Sequence, residues 1–95
     1  MARPSGPLID ALLIDDENEE KFAAHGLAVG QVLQVLENDF TIVRNRRDRR
    51  GLYLMIGTDY SGRCIAIPIG PTHERGLWRP ITAWPCKDAE RSRLP

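Results

Sequence analysis

The spacing of apolar residues changes once along this 95-residue chain, at Asn38 and Asp39. Before that point, four apolar residues follow the i, i+3, i+4, i+7 spacing of one helix face: Val29, Val32, Leu33 and Leu36. After it, short β-rich stretches alternate with turns. Helices towards the ends of the chain and strands in its middle predict an α+β domain with a mainly antiparallel sheet.

The first half of the chain predicts a helical hairpin. Asp15 or Asp16 offers an N-cap carboxylate, and the acidic residues that follow suit the positive end of the helix dipole. Gly26 supplies the left-handed residue that ends many helices. A second helix is expected over 27–38, although Gly30 weakens it by about 1 kcal/mol relative to alanine. An edge strand is expected over 9–14, before the first helix.

The second half predicts strands over 40–45, 52–56, 64–69 and 77–84 and a C-terminal helix over 87–94. The helical hairpin and the C-terminal helix would therefore pack on a four- to five-stranded sheet. Trp78 and Trp84 have the same parity in the last strand, so without a bulge they should share one sheet face, whereas Pro80 would favour a bulge between them. Residues 1–8 are expected to be disordered, which leaves 9–95 as a single domain.

The cysteines and the apolar runs bear on location. Cys64 and Cys86 lie far apart in the sequence with no second thiol near either, which argues against a disulfide scaffold and excludes a CxxC motif. Cys64 is expected to be a small buried hydrophobe.

The apolar run 8–14 is too short for a signal peptide and is interrupted by Asp10, and nothing approaches a membrane span of roughly 18 residues. We therefore expect a cytoplasmic protein without membrane association.

Charge is divided along the chain although its net charge is zero. Residues 1–40 carry eight acidic and two basic side chains, whereas residues 41–95 carry eleven basic and five acidic ones. A basic face that meets an anion, beside an acidic flank, would produce this pattern. Two helices with solvated acidic surfaces beside an arginine-rich sheet would produce it equally well.

The arginine-rich segment places five guanidinium groups within seven residues: Arg44, Arg46, Arg47, Arg49 and Arg50. Each can bind a phosphate in bidentate fashion, so the segment predicts contact with a nucleic acid. Trp84 adds a flat surface on which a base could stack, although it could equally belong to the core. The arginines could also pair with the acidic helix or with an acidic protein partner, or they could be exposed to solvent without a binding role.

Metal-free cleavage of RNA needs a base, an acid and fixed positive charge beside the phosphate. Arg79 and Arg63 suit the charge, and Lys21, His25 and Glu90 are candidates for proton transfer or orientation. His25 could instead only complement the end of the helix dipole. Such a site would use neither a metal nor a cofactor, and the sequence has no metal-ligand spacing and no glycine-rich phosphate loop.

Segments at both ends of the chain resemble the BrnT family, toxins of bacterial type II toxin–antitoxin pairs. Lys21 and His25-Gly26 follow the family's Lys…His-Gly pattern, and the family's Arg-x-Ile-Ser-Ala-Arg…Glu-Arg pattern is similar to the chain's last part. The matching residues there are Arg79, Ile81, Ala83, Glu90 and Arg91, with Thr82 in place of serine. The resemblance covers about residues 13–94. Trp84 stands where the family has arginine, and Leu94 replaces a terminal aromatic residue.

The resemblance implies a RelE-like ribonuclease fold and a toxin that acts as a metal-independent endoribonuclease on cellular RNA. It also implies a cognate antitoxin that covers the basic face. Because Trp84 replaces an arginine, a second hypothesis stays open. The chain would then be a catalytically inactive member of the fold that binds a protein: an antitoxin, a second copy in a homodimer or, as a ParE-like inhibitor, a DNA topoisomerase.

Overall fold

Three helices and a six-stranded sheet make up the described residues, 7–46 and 50–95, of this computed structural model. The helices are α1 (Asp16–Ala24), α2 (Val29–Glu37) and α3 (Asp88–Arg91). The strands are β1 (Ala11–Leu12), β2 (Phe40–Arg44), β3 (Tyr53–Thr58), β4 (Cys64–Pro71), β5 (Leu77–Pro80) and β6 (Trp84–Pro85). The predicted α+β class is confirmed.

Five strands lie side by side in the order β1-β5-β4-β3-β2, and the sixth strand, β6, also pairs with β4. Antiparallel pairs predominate, as predicted, but β1 runs parallel to β5 and makes the sheet mixed. The sheet has more strands than predicted because residues 77–84 form two strands instead of one. β5 pairs with the end of β4, at Ile69–Pro71, whereas β6 pairs with Ile65 and Ala66.

The break between β5 and β6 separates the two tryptophans. Trp78 packs against the main core, where its ring meets Tyr53 edge to face with centroids 5.6 Å apart. Trp84 packs against a second cluster that contains Ala66 and the two cysteines. The two tryptophans therefore do not share one sheet face, because the chain shifts along β4 after Pro80 and does not continue as the regular strand that a shared face requires.

The main core lies between the sheet and α2, which contacts β1, β3 and β4. Val32 and Val35 of α2 are fully buried, as are Met55 and Ile67 of the sheet. Gly57 of β3 allows the close approach, since a Cβ atom there would lie 2.9 Å from Cγ1 of Val35. The helical spacing in the sequence thus identified Val32 but not Val35, although both lie on the side of α2 that packs against the core.

A capping box and a buried amide fix the start of α1. Asp15 is the N-cap and accepts a hydrogen bond from the Asn18 backbone at 2.9 Å, while the Asn18 side chain accepts one from the Asp15 backbone at 3.0 Å. The buried Asn18 amide also donates to the carbonyls of Leu13 and Pro80, so it ties α1 to β5. The helix ends before Gly26, whose φ of 75° is the predicted left-handed conformation.

Cys64 and Cys86 form a disulfide, so the sequence-based expectation was wrong. Cys64 begins β4 and Cys86 directly follows β6. The pairing of these two strands brings the Cα atoms within 5.3 Å, and the Cys86 backbone donates to the Cys64 carbonyl at 3.0 Å. This proximity depends on the shift along β4, which spacing in the sequence could not reveal.

Most of the N-terminal segment predicted to be disordered, 1–6 out of 1–8, lies outside the described residues. Leu8 is exposed, and its carbonyl accepts a hydrogen bond from the indole of Trp78 at 2.9 Å. None of the helices in the described part of the chain is long and apolar enough to cross a membrane.

Candidate functional site

A surface cleft of about 380 Å³ brings together four residues that the sequence singled out: Lys21, His25, Arg50 and Trp84. The other described residues that line it are Ala24, Asn45, Pro68, Ile81 and Thr82. We call it the central cleft. Its described lining holds a lysine and an arginine but no carboxylate, so it favours an anion.

The last turn of α1 provides one wall of the central cleft. Lys21, Ala24 and His25 follow the i, i+3, i+4 spacing and therefore lie on one side of the helix. Phe22, on another side, is fully buried in the core and holds the helix in place. Lys21 makes a 3.9 Å pair with Glu17, and an exposed pair of this kind is weak enough to leave the ammonium group available to a ligand.

Trp84 also lines the central cleft, and its ring is fixed by Glu90. The indole N–H donates to the two carboxylate oxygens of Glu90 at 3.0 and 3.2 Å. Glu90 also accepts from the backbone N–H of Lys87, the N-cap of α3, at 2.8 Å. The position of the Trp84 ring thus depends on the start of the C-terminal helix.

Two further depressions adjoin the central cleft. One, of about 420 Å³, is lined by His25, Trp84, Pro85 and Lys87. The other, of about 300 Å³, is lined by Asn45, Leu54, Ala89, Glu90 and three cationic residues, Arg44, Arg46 and Lys87. Shared residues connect all three depressions, and we call them together the Trp84 surface. It lies where the second, basic half of the chain meets the end of α1.

Arg79 lies outside the described lining of the Trp84 surface. Its guanidinium pairs with the carboxylate of Asp15 and, at 3.3 Å, with that of Glu17. The hydrogen bond between Arg79 and Asp15 raises the pKa of Arg79 and lowers that of Asp15. Arg79 therefore joins β5 to the start of α1, and its charge is matched by acidic neighbours.

The remaining predicted site residues are distributed unevenly. Arg44, Arg46 and Glu90 line the Trp84 surface beside the central cleft, whereas Arg47 and Arg49 lie outside the described residues. Arg63 is exposed in the turn between β3 and β4 and does not line the Trp84 surface.

That turn is organised by the buried carboxylate of Asp59. Desolvation raises its pKa, but hydrogen bonds from the Ser61 side chain, the Arg63 backbone and Gln31 outweigh this effect and lower the pKa to about 2. The group is therefore ionised at neutral pH and saturated with donors. It stabilises the turn and is not part of the candidate site.

Sequence reasoning did not single out Lys87 or Asn45, and it named Thr82 only as the match to a serine of the BrnT pattern. Asn45 shapes the turn after β2, because its amide donates to the carbonyls of Arg50 and Gly51 at 2.8 and 3.2 Å. It also lines the central cleft. Lys87 is next to Trp84 in space because β6 leads directly into α3, and no motif in the sequence marks it.

Within 7–46 and 50–95, no three His, Cys, Asp or Glu side chains are grouped in a way that could hold a metal ion. No protein-family model, no curated protein and no solved structure matches this chain. The likeness to BrnT toxins therefore depends on the sequence motifs alone.

Proposed function

We propose that the Trp84 surface binds RNA and that the protein is a BrnT-like toxin with a RelE-like fold, acting as a metal-independent endoribonuclease. The observation that carries this proposal is the meeting of Lys21, His25, Arg50 and Trp84 in one cleft. These residues come from three separate parts of the chain. RNA combines the two chemical features that such a lining suits, an anionic backbone and flat bases.

The cations of the Trp84 surface would bind the phosphates. Lys21 and Arg50 line the central cleft, and Arg44, Arg46 and Lys87 line the depressions beside it. An arginine can bind two phosphate oxygens at once, whereas a lysine acts as a point charge. A backbone that follows these side chains would pass directly beside the ring of Trp84.

His25 is the best placed group for proton transfer in the central cleft. In metal-free cleavage, the ribose 2′-oxygen attacks the adjacent phosphorus, and the bond to the 5′-oxygen of the next nucleotide breaks. One group accepts the 2′-hydroxyl proton and another gives a proton to the leaving oxygen. His25 would perform one of these transfers, and Lys21 would stabilise the charge that develops on the phosphate.

A second candidate function is binding without cleavage. Arg79 is paired with acidic side chains, and the carboxylate of Glu90 is occupied by Trp84 and Lys87. Two of the predicted catalytic groups thus already have partners within the fold. In this case the basic surface would bind an acidic antitoxin, a second copy of the chain or another protein.

Cleavage of a labelled single-stranded RNA in EDTA tests the proposal, with His25→Ala as the variant and His73→Ala as its control. His73 is the chain's other histidine, exposed in the 72–76 loop and outside the Trp84 surface. We expect the wild type and His73→Ala to cleave, and His25→Ala to bind RNA but to cleave at least about a hundredfold more slowly. Binding without cleavage by a folded wild type would support the second function, and no binding at all would reject the RNA site.

A further inference from the structure

We infer that the Trp84 surface accepts unpaired bases of single-stranded RNA, with Trp84 as the stacking platform and Glu90 as the residue that positions it. This inference rests on the proposed RNA-binding function and specifies the form of RNA that the site takes. It depends on how the indole is held, on the two depressions that share it, and on the cations beside each depression.

The hydrogen bonds of Trp84 occupy its polar edge and leave only apolar ring surface for a ligand. The single N–H donor of the indole is already directed at Glu90, at 3.0 and 3.2 Å. The half-buried ring packs against the cluster of Ala66 and the two cysteines, and Nζ of Lys87 lies over it, so the surface left for a base is the part that lines the two depressions. Because the ring is fixed, stacking there would require little loss of side-chain freedom, and it would suit any base, since every base has a π-face.

The rings of His25 and Trp84 lie between two adjoining depressions. Both line the central cleft of about 380 Å³ and the neighbouring depression of about 420 Å³. Their centroids are 6.4 Å apart and their planes are tilted by 60°, so the two rings do not stack on one another. Each depression is large enough for a small ligand, and together they suit two consecutive nucleotides.

Cations lie beside both depressions. Lys21 and Arg50 line the central cleft, and Lys87 lines its neighbour, with Nζ 6.0 Å from the centroid of the Trp84 ring. Phosphates that follow a stacked base would therefore meet positive charge on either side. In a duplex the bases are stacked on each other and cannot reach a half-buried indole, which is why the site favours single strands.

Glu90 would act through Trp84 and not on the RNA itself. Its carboxylate accepts two contacts from the indole N–H and one from the Lys87 backbone, so it both orients the ring and caps α3. Glutamine keeps an oxygen that can accept these bonds but removes the charge, whereas alanine removes the acceptor. The two substitutions therefore separate positioning from proton transfer.

The test compares three fluorescein-labelled ligands of equal length: a single-stranded RNA, the same strand annealed to its complement, and an abasic strand that keeps the phosphates. We expect the wild type to bind the single strand about tenfold more tightly than either of the others. Trp84→Ala should lose this preference, and Trp84→Phe should keep most of it.

Fluorescence of Trp84 in a Trp78→Phe background provides the direct readout, since a stacked base quenches the indole. We expect quenching by the single strand and little by the abasic strand. Glu90→Ala should reduce both quenching and affinity several-fold, and Glu90→Gln should restore them. If Glu90→Ala does not fold, Glu90→Gln with unchanged quenching still supports positioning, and loss of quenching in a folded Glu90→Gln overturns it.

Two negative results have different meanings. Equal affinity for all three ligands, with Lys21→Ala weakening each, would overturn base stacking but keep the proposed RNA site. Failure of the folded wild type to bind any RNA would reject the proposed function and this inference together.

Discussion

At the scale of single residues, the charged side chains fall into two groups according to their partners. Asp59 and Arg79 are matched within the fold, by hydrogen-bond donors and by acidic groups respectively. Lys21 and Arg50 line a cleft whose described residues include no carboxylate. The sequence identified Arg79, Lys21 and Arg50 as candidates but could not show that Arg79 is matched, because its acidic partners lie 64 and 62 positions away along the chain.

Asp59→Ala should destabilise the protein at neutral pH by about 1–3 kcal/mol, because it leaves buried donors without an acceptor. Since the pKa of Asp59 falls from 3.8 to about 2 on folding, the unfolded chain binds the proton more readily. The contribution of Asp59 is thus full above its ordinary pKa and is lost as pH falls towards 2.

Urea unfolding at neutral pH and at about pH 3 measures this effect, with the exposed Asp39→Ala as the control. The wild type should lose more stability on acidification than Asp59→Ala does. An equal loss in both proteins would show that Asp59 does not contribute in this way.

At the scale of elements, the contact between α2 and β3 depends on the absence of a side chain at Gly57. Gly57→Ala should cost about 1–3 kcal/mol of stability, because its Cβ would lie 2.9 Å from Val35 and 3.1 Å from Phe40. Gly30→Ala, in α2 itself, meets nothing within 4 Å and should stabilise the helix by up to about 1 kcal/mol. Opposite shifts in thermal unfolding would confirm the packing, whereas stabilisation by both substitutions would contradict it.

The disulfide holds β6, and with it the start of α3, to the first residues of β4. In the chain-entropy account, closing a loop of this length stabilises the protein by about 3 kcal/mol. We therefore expect a reductant to lower the urea midpoint of the wild type and to leave that of the double variant Cys64→Ala, Cys86→Ala unchanged. The state of the cysteines in the cell can be read by isolating the protein with a thiol-trapping reagent. Trapped free thiols would show that the disulfide is absent in the cell, as in a reducing cytoplasm.

The spacing of apolar residues and the residues at helix ends predicted the helices and strands better than they predicted which strands pair. The spacing of Val29, Val32, Leu33 and Leu36 indicated the face of α2 that packs on the core but left out the fully buried Val35. Asp15 and Gly26 marked the ends of α1. The split between β5 and β6 was missed because it depends on which part of β4 each strand meets. The disulfide was missed for the same reason.

At the scale of the whole molecule, the fold brings the acidic first half of the chain against the basic second half. Asp15 and Glu17, at the start of α1, pair with Arg79, whereas the end of that helix meets Arg50 at the central cleft. The sequence supplied Lys21, His25, Arg50 and Trp84 as candidates, but only the fold brings them together. RNA binding, the antitoxin and the cytoplasmic location stay predictions.

Salt dependence of RNA binding tests the central claim most directly, because each phosphate contact releases counterions. For a single strand, the logarithm of affinity should fall with the logarithm of salt concentration by about 0.7 for each contact. Lys21→Ala and Arg50→Ala should each weaken binding and reduce that slope by about this amount. The control is Arg75→Ala, in a separate cleft beside Leu8 and Trp78, which should keep the wild-type affinity and slope. Equal effects of all three substitutions, or no binding by the folded wild type, would contradict the account.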